Sequence, residues 1–505
     1  MKTDKLILWL LIAAKFVLQF VLIDSGYELH RDEYLHLDQA HHLAWGYLSV
    51  PPFTSWISWI ILQLGNSVFW VKFFPALFGA LTLYVVWKAT EALGGGLFAK
   101  TLAGMCILFS VLLRLNTLFQ PNSPDVLAWT SALYFFILYI KTKQGKWLYL
   151  MALVFAFGFL NKYNILFLAL GLLPAILLSP QKKLLTKKEF YLALLLAFLL
   201  VLPNVIWQIV NNFPVLHHMR VLSETQLVNV DLTGFVVSQI YFFVGGIFVL
   251  FAGFYSLWGY KEFRPYRLLF WLFVFTMGLY VWFKAKDYYT IGLYPIYLAF
   301  GSVFLENALK SSRGLWLKVP LLALPVLFFI LISKFAFPNR TPEYIEAHHD
   351  RYLKMGMLRW EDGKEHKMPQ DFADMLGWKE LAEKVDRAYS SIQNPGATLV
   401  LCDNYGQAGA INYYSKLGIR AVTFEADYMN WFDLSQPYKN LIRVKNGSER
   451  EREMEKTSPY FTKAFIADSI SNDNAREFGT LIFVFENAQI DVNKRVASEI
   501  ESVRW

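Results

Sequence analysis

Eleven stretches of this 505-residue chain are apolar over lengths that reach or approach the thickness of a bilayer, and nothing else constrains its folding so strongly. They cover 6–23, 68–92, 98–115, 126–140, 147–160, 165–179, 190–210, 233–255, 268–283, 291–305 and 316–335. In hydrocarbon every backbone N–H and C=O must be satisfied within its own segment, so runs of this kind are helices. The composition agrees: 55% of residues are hydrophobic and only 17% charged, against about a quarter charged in a soluble domain. The first run is followed by Asp24-Ser25-Gly26-Tyr27, a poor cleavage site, so it is read as a helix and not as a signal peptide. The predicted class is mainly α: a polytopic helical membrane domain of about eleven spans over 1–336, with a soluble α/β domain over 337–505.

The loops orient the spans. Lys141, Lys143 and Lys146, then Lys182, Lys183, Lys187 and Lys188, then Lys261, Arg264 and Arg267, and finally Lys310, Arg313 and Lys318 fall in one alternating set, which the positive-inside trend places in the cytoplasm. The net charge of +8 is therefore a topology signal, and no pattern in the chain calls for nucleic acid. The opposite loops, 24–66, 116–125, 161–164, 211–231 and 284–289, face outward, and an eleven-span count puts the tail outside as well. Cys106 lies in a span and Cys402 in the tail, so no disulfide is expected, which fits a bacterial cytoplasmic membrane protein with an extracytoplasmic tail.

In the tail, strands are predicted at 398–402, 421–424, 441–444, 464–466 and 480–485, and helices at 372–389 and 406–417. Asn404-Tyr405-Gly406-Gln407-Ala408-Gly409 is not a dinucleotide fingerprint, because Asn404 stands where the first glycine would be. Its two glycines are read as a tight strand-to-helix turn.

The polar clusters with chemical potential gather on the outward side. His30-Arg31-Asp32-Glu33-Tyr34 follows the first span, and Tyr34, Leu37, Ala40 and Ala44 share a helical face, predicting an amphipathic helix on the membrane with Asp38, His41 and His42 on its polar side. A carboxylate there can take a proton from a hydroxyl; the plainer alternative is a helix start with Asp32 as its cap. Trp45-Gly46-Tyr47 and Pro51-Pro52-Phe53 form a rigid turn with interfacial aromatics. Gln120-Pro121-Asn122-Ser123-Pro124-Asp125 ends at a helix start. Lys162 and Tyr163 join two spans with almost no loop, so Lys162 sits at the membrane edge, where a charge needs a partner or a task. His217 and His218 point in different directions on a helix and make a poor metal pair, although one His with Asp32 or Glu33 can hold a divalent ion; no cofactor is demanded with certainty. Arg220 follows them. Lys284 and Lys286, beside Tyr288 and Tyr289, run against the positive-inside trend, as either headgroup contacts or a phosphate site.

Taken together, Arg31-Asp32-Glu33, His42-Leu43-Ala44-Trp45-Gly46-Tyr47 with Pro51-Pro52, Gln120-Pro121-Asn122-Ser123, Lys162-Tyr163, Trp207-Gln208 with Phe213-Pro214, Tyr288-Tyr289 with Tyr294-Pro295, Asn404 to Ala410 and Asn474-Ala475-Arg476-Glu477-Phe478 resemble the bacterial branch of the protein O-mannosyltransferase-like glycosyltransferases, members of the C-type superfamily that includes the lipid A aminoarabinose transferase. The resemblance implies a polyprenyl-phosphate sugar donor and an envelope glycan or lipid acceptor, with protein a less fitting one. It implies catalysis by Asp32 with Glu33 beside it, and donor or substrate contacts from Arg31, Lys162, Tyr163, His217, Arg220, Lys284, Lys286, Tyr288 and Tyr289. The competing readings are a lipid-linked-sugar transporter or flippase, which calls for charged or broken helices at mid-membrane and internal symmetry, and a non-catalytic envelope receptor.

Overall fold

A computed structural model describes residues 2–225, 227–310 and 312–503. Gln226 of the 211–231 loop and the last two positions of the 337–505 domain lie outside the described residues. All eleven apolar runs are helical. Helices Lys2–Val21, Val68–Ala92, Asn122–Thr142, Lys146–Asn161, Lys188–Val210, Leu268–Trp282 and Ser312–Ala336 are continuous. The 98–115 run divides into Leu97–Leu108 and Val111–Leu115, because the Ser110 hydroxyl accepts the Leu112 N–H at 3.3 Å and caps a new helix. The 233–255 run bends by 65° between Leu232–Phe242 and Val244–Gly259, where Gly245-Gly246 lies at the break. Among the described residues, four helices are long and apolar enough to cross a membrane alone, or seven if each bent pair is one span, against the eleven spans predicted. Length accounts for much of the difference: Leu97–Leu108, Lys146–Asn161 and Leu268–Trp282 are apolar but short.

The chain forms two compact units. The first comprises Met1–Ile23, Val50–Thr54 and Ser67–Asn339. The second comprises Asp24–Ser49, Ser55–Asn66 and Arg340–Trp505, so most of the first outer loop, grouped by sequence with the membrane part, folds with the tail. The core of the membrane unit holds Trp129, Phe136, Tyr280, Tyr297 and Phe300, each at most 1% exposed. Helices Ile247–Gly259 and Pro295–Ala308 approach so closely that a Cβ on Gly301 would lie 1.8 Å from the Val249 carbonyl oxygen, and one on Gly253 2.3 Å from that of Tyr297. Small residues of this kind let helix backbones meet where no hydrophobic drive separates helix from lipid.

The second unit is built on a five-stranded sheet: β1 (Thr398–Cys402), β2 (Ala421–Thr423), β3 (Asn440–Lys445), β4 (Phe461–Ser469) and β5 (Leu481–Ala488), in the order β2-β1-β3-β5-β4. β1 pairs in parallel with β2 and β3, with Val400 opposite Ala421 and Ile442, and β5 is antiparallel to β3 and β4. Each strand lies within a few residues of its predicted place. The helix predicted over 372–389 is two, Gln370–Ala373 and Trp378–Ser390, because Gly377 sits at φ +83°, a conformation that interrupts a right-handed helix.

Gly301→Val should lower the unfolding temperature of the detergent-solubilised protein, since overpacking of this sort costs about 1–3 kcal/mol. A melting curve superimposable on wild type would show that the two helices can part freely.

Candidate active site

Helix Arg31–Asp38 is fixed at its start by a reciprocal cap. The His30 ring Nδ1 accepts the Asp32 N–H at 3.2 Å, and the Glu33 carboxylate accepts the His30 N–H at 2.6 Å. The structure thus separates the acidic pair. Glu33 is 0% exposed and closes the cap. Asp32, weighed as the cap from sequence, is not the cap; it is half-buried and its side chain turns elsewhere. The Tyr405 hydroxyl donates to Asp32 Oδ1 at 2.8 Å, and the Arg31 guanidinium lies 4.3 Å over the Tyr405 ring. Burial pushes the Asp32 pKa up, but Arg31 and the Tyr405 hydrogen bond outweigh it and hold the carboxyl below its ordinary value. Asp32 is therefore ionised at neutral pH. Behind the cap, His30 Nε2 is 3.7 Å from Asp374 Oδ2, and Arg476 Nη1 meets the two Asp374 oxygens at 3.0 and 3.1 Å.

The face of this helix predicted to rest on the membrane packs instead within the second unit. Tyr34 is fully buried against Trp378, Tyr413 and Tyr414. The supporting element is helix Tyr405–Tyr414, which follows β1 through the tight strand-to-helix turn predicted, and the two glycines of the motif lie inside the helix and serve contact: a Cβ on Gly406 would lie 2.6 Å from Arg31 Cγ, and one on Gly409 2.7 Å from both Tyr34 Cβ and the Tyr428 hydroxyl. Asp38 is likewise engaged. Its Oδ2 accepts from Asn412 Nδ2 at 2.7 Å and from the Tyr428 hydroxyl at 2.6 Å, and burial pushes its pKa up to about 7. At the next residue, Gln39 Nε2 donates to Asp427 at 3.0 Å, and Asp427 also accepts from the Leu48 N–H at 2.8 Å, with its pKa pushed by burial to about 6.

The membrane unit carries a basic site. Lys162 lies in extended conformation between helix Lys146–Asn161 and the 3-10 turn Tyr163–Ile165, the nearly loopless joint predicted. Its ammonium donates to Asn122 Oδ1 at 2.8 Å and lies 4.1 Å over the Tyr289 ring and 5.2 Å over that of Tyr288. Lys286 is 6.0 Å over Tyr288 and within electrostatic range of Lys162 and His218. Lys162, Lys286, Tyr288 and Tyr289 thus come together. Lys284 and Arg220 are exposed, and His217, on helix Pro214–Thr225, is partly so. The Lys284 backbone, at φ +49°, follows helix Leu268–Trp282 in the left-handed conformation common just past a helix end. The Tyr163 hydroxyl is committed to Asn204 Oδ1 at 3.0 Å and accepts from Gln208 Nε2 at 2.9 Å. Sequence reading missed the frame around Lys162: Asp125 accepts from Trp129 Nε1 at 3.1 Å and Asn164 Nδ2 at 2.8 Å, while the Tyr280 hydroxyl donates to Asn164 Oδ1 at 2.8 Å. Among the described residues no group of three or more His, Cys, Asp or Glu side chains is arranged to hold a metal ion.

The dolichyl-phosphate-mannose-protein mannosyltransferase family model matches residues 49–207. ArnT from Cupriavidus metallidurans bound to undecaprenyl phosphate superposes with a TM-score of 0.62 at 14% identity, covering 94% of this chain and 97% of that one. The fold is that of this ArnT. The apo structure of the same ArnT gives a TM-score of 0.61 at 15% identity, with 94% and 97% coverage. Comparison with curated proteins gives no significant match. The chain is a multi-pass membrane protein of this fold, helical in its larger unit, with a small sheet toward the C-terminus.

The raised pKa of Asp38 has a sign. Its ordinary value is 3.8 and its folded value about 7, so between these the folded state holds a proton that the unfolded state has lost. Stability from this group is full below pH 4 and falls by up to about 1.4 kcal/mol per unit as pH rises through that window. Both donors meet one oxygen, so Asp38→Asn keeps both bonds and cannot ionise. The variant should be at least as stable as wild type at pH 8 and should flatten the melting-temperature difference between pH 5 and pH 8; an unchanged difference would remove Asp38 from the pH response.

Proposed function

We propose that this chain is an inverting glycosyltransferase that moves a sugar from a polyprenyl-phosphate donor to a hydroxyl of an envelope glycan or lipid on the outer face of the cytoplasmic membrane. The observation that carries this reading is Asp32: the half-buried member of the acidic pair, held ionised by Arg31 and aimed by the Tyr405 hydroxyl. The ArnT fold and the match of a dolichyl-phosphate-mannose family to 49–207 support the donor class.

In this reaction the acceptor oxygen attacks the anomeric carbon as its proton passes to Asp32. The bond from that carbon to the phosphate oxygen breaks, and its electron pair leaves on the polyprenyl phosphate. Lys162 and Lys286 contact the phosphate, where two ammonium groups offset the charge that develops on departure. Tyr288 and Tyr289 hold those side chains over their rings. Glu33 shapes the helix start without touching substrate, and Arg31 keeps Tyr405 and Asp32 in register. Arg220, His217 and Lys284 are assigned to lipid headgroups, Tyr163 to packing.

Asp32→Asn should reduce transfer of labelled sugar from polyprenyl phosphate in liposomes by about a hundredfold to ten-thousandfold with donor binding retained, because Asn keeps the acceptor atom for Tyr405 and cannot take a proton. Lys162→Ala should weaken use of the donor by roughly tenfold to a hundredfold and leave the acceptor dependence alone. Wild-type turnover in Asp32→Asn would deprive the mechanism of its base.

The orientation has its own test. In a background with Cys106 and Cys402 replaced by Ala, a cysteine at exposed Lys367 should react with a membrane-impermeant thiol reagent in intact cells, and one at exposed Lys183 should not. The reverse pattern would put the Asp32 unit in the cytoplasm.

A further inference from the structure

The second unit holds a polar cavity that the mechanism above leaves unused. Its volume is about 240 Å³, and Trp360, His366, Asp403, Asn404, Gln407 and Glu477 are among its walls. Those walls are fixed in advance. His366 lies flat on Trp360, with ring centroids 3.7 Å apart and planes 15° from parallel, and Trp360 Nε1 donates to the Met368 carbonyl at 2.8 Å. Glu477 is buried, accepting from Asn404 Nδ2 at 3.1 Å, from Gln407 Nε2 at 2.6 Å and from the Thr480 hydroxyl at 3.1 Å. Asp403 accepts from Arg443 Nη2 at 3.0 Å, and its N–H donates to Gln407 Oε1 at 3.0 Å.

We infer that this cavity is a saccharide subsite that takes one uncharged or amino-bearing sugar ring of the acceptor. The inference rests on the glycosyltransferase reading and names the acceptor chemistry that reading leaves open. Size is the first argument, since pockets for drug-sized ligands run from about 300 Å³ upward and this one is just smaller. Chemistry is the second: an aromatic wall beside carboxylate and amide oxygens suits a ring with apolar C–H faces and outward hydroxyl donors. Charge is the third. Glu361, Asp362, Asp403 and Glu477 line the cavity against Arg476 and His366, an acidic excess that disfavours phosphate or uronate. These acids are not arranged to hold a metal ion.

Two short paths tie the cavity to Asp32. Asn404 and Gln407 line it, and Tyr405 between them donates to Asp32. Arg476 lines it too, and its partner Asp374 also faces His30, the cap of the Asp32 helix. An occupied cavity therefore bears on the same turn and the same cap that aim the proposed base.

The test uses the full chain in nanodiscs and three probes: the disaccharides of N-acetylglucosamine, glucosamine and galacturonate, with binding read by saturation-transfer NMR and titration calorimetry. The first two should bind and galacturonate should not. Trp360→Ala should weaken both by roughly three- to tenfold. Should that variant fail to fold, Glu361→Gln with Asp362→Asn, both on the exposed rim, should weaken glucosamine disaccharide more than its neutral counterpart. Asp32→Asn should bind all probes as wild type does. Absence of binding by both non-acidic probes, or binding unchanged in the rim and Trp360 variants, overturns the subsite. Sugar transfer from the lipid donor with an acceptor KM unchanged in Trp360→Ala sinks the subsite alone. Binding that follows the cavity variants in a protein that moves no sugar from any polyprenyl-phosphate donor sinks the transferase reading and leaves a saccharide site.

Discussion

Every feature of the acidic site depends on one helix contact, that of Arg31–Asp38 on Tyr405–Tyr414. The two helices meet where Gly406 and Gly409 present no side chain, and any Cβ at either position would enter Arg31 or Tyr34. That closeness is what lets the Tyr405 hydroxyl reach Asp32 and the Arg31 guanidinium cover the Tyr405 ring. A looser contact would leave Asp32 with its burial cost and without the partners that offset it. Packing here determines electrostatics, and electrostatics decides which acid can accept a proton.

The carboxylates of this unit show how burial alone does not set protonation. Asp38 and Asp427 are surrounded by neutral donors, and burial pushes them to about 7 and about 6. Asp32 feels the same burial and still falls below its ordinary value, because the Arg31 guanidinium stands beside it and the Tyr405 hydroxyl donates to it. Charged neighbours favour the ionised form more strongly than hydroxyl or amide donors do. One short segment therefore contains an acid that stays charged near neutrality and, a turn and a half later, an acid that titrates there. The first is suited to proton transfer and the second to holding the loop on its support.

Sequence made the apolar runs legible because backbone polar groups in a bilayer leave helix as the solution, and the five strands because β-branched and aromatic runs were bounded by turn residues. The breaks were hidden. Ser110 and Gly245-Gly246 are ordinary residues within apolar stretches, and only tertiary packing turns them into a new cap and a bend. The importance of Arg31-Asp32-Glu33 was visible, but its division of labour was not, although a signal existed: Glu33 stands three residues after His30, the spacing of a capping box with His in place of Ser or Thr. Tyr405 could not be found, since it lies 373 residues from its partner. The membrane-surface helix was misread because its apolar face is equally suited to lipid or to Trp378 and Tyr414, and periodicity carries no information on which. The motif at Asn404–Gly409 was legible as a strand-to-helix turn, but the second task of Gly406 and Gly409, one helical turn apart, is contact with a segment far away in the chain.

The basic site follows a different logic. Lys162 occupies a single extended residue between two helices, so its backbone has little slack, and the elements on either side are tied down. Asn161 donates to the Pro121 carbonyl at 2.7 Å, and Asn164 donates to Asp125 at 2.8 Å and to the Tyr289 carbonyl at 3.0 Å. Asp125 thus spends its acceptors on Trp129 and Asn164 and acts on Lys162 only at a distance, through charge. An ammonium has three donors. One is engaged with Asn122, and the others face the rings of Tyr288 and Tyr289, whose attraction for a cation is weaker than that of a phosphate. A rigid joint with one firm hydrogen bond and two soft contacts can take an anion by giving up only the soft ones. That places the cost of binding on side-chain contacts and spares the helices, as the phosphate contact proposed for Lys162 requires.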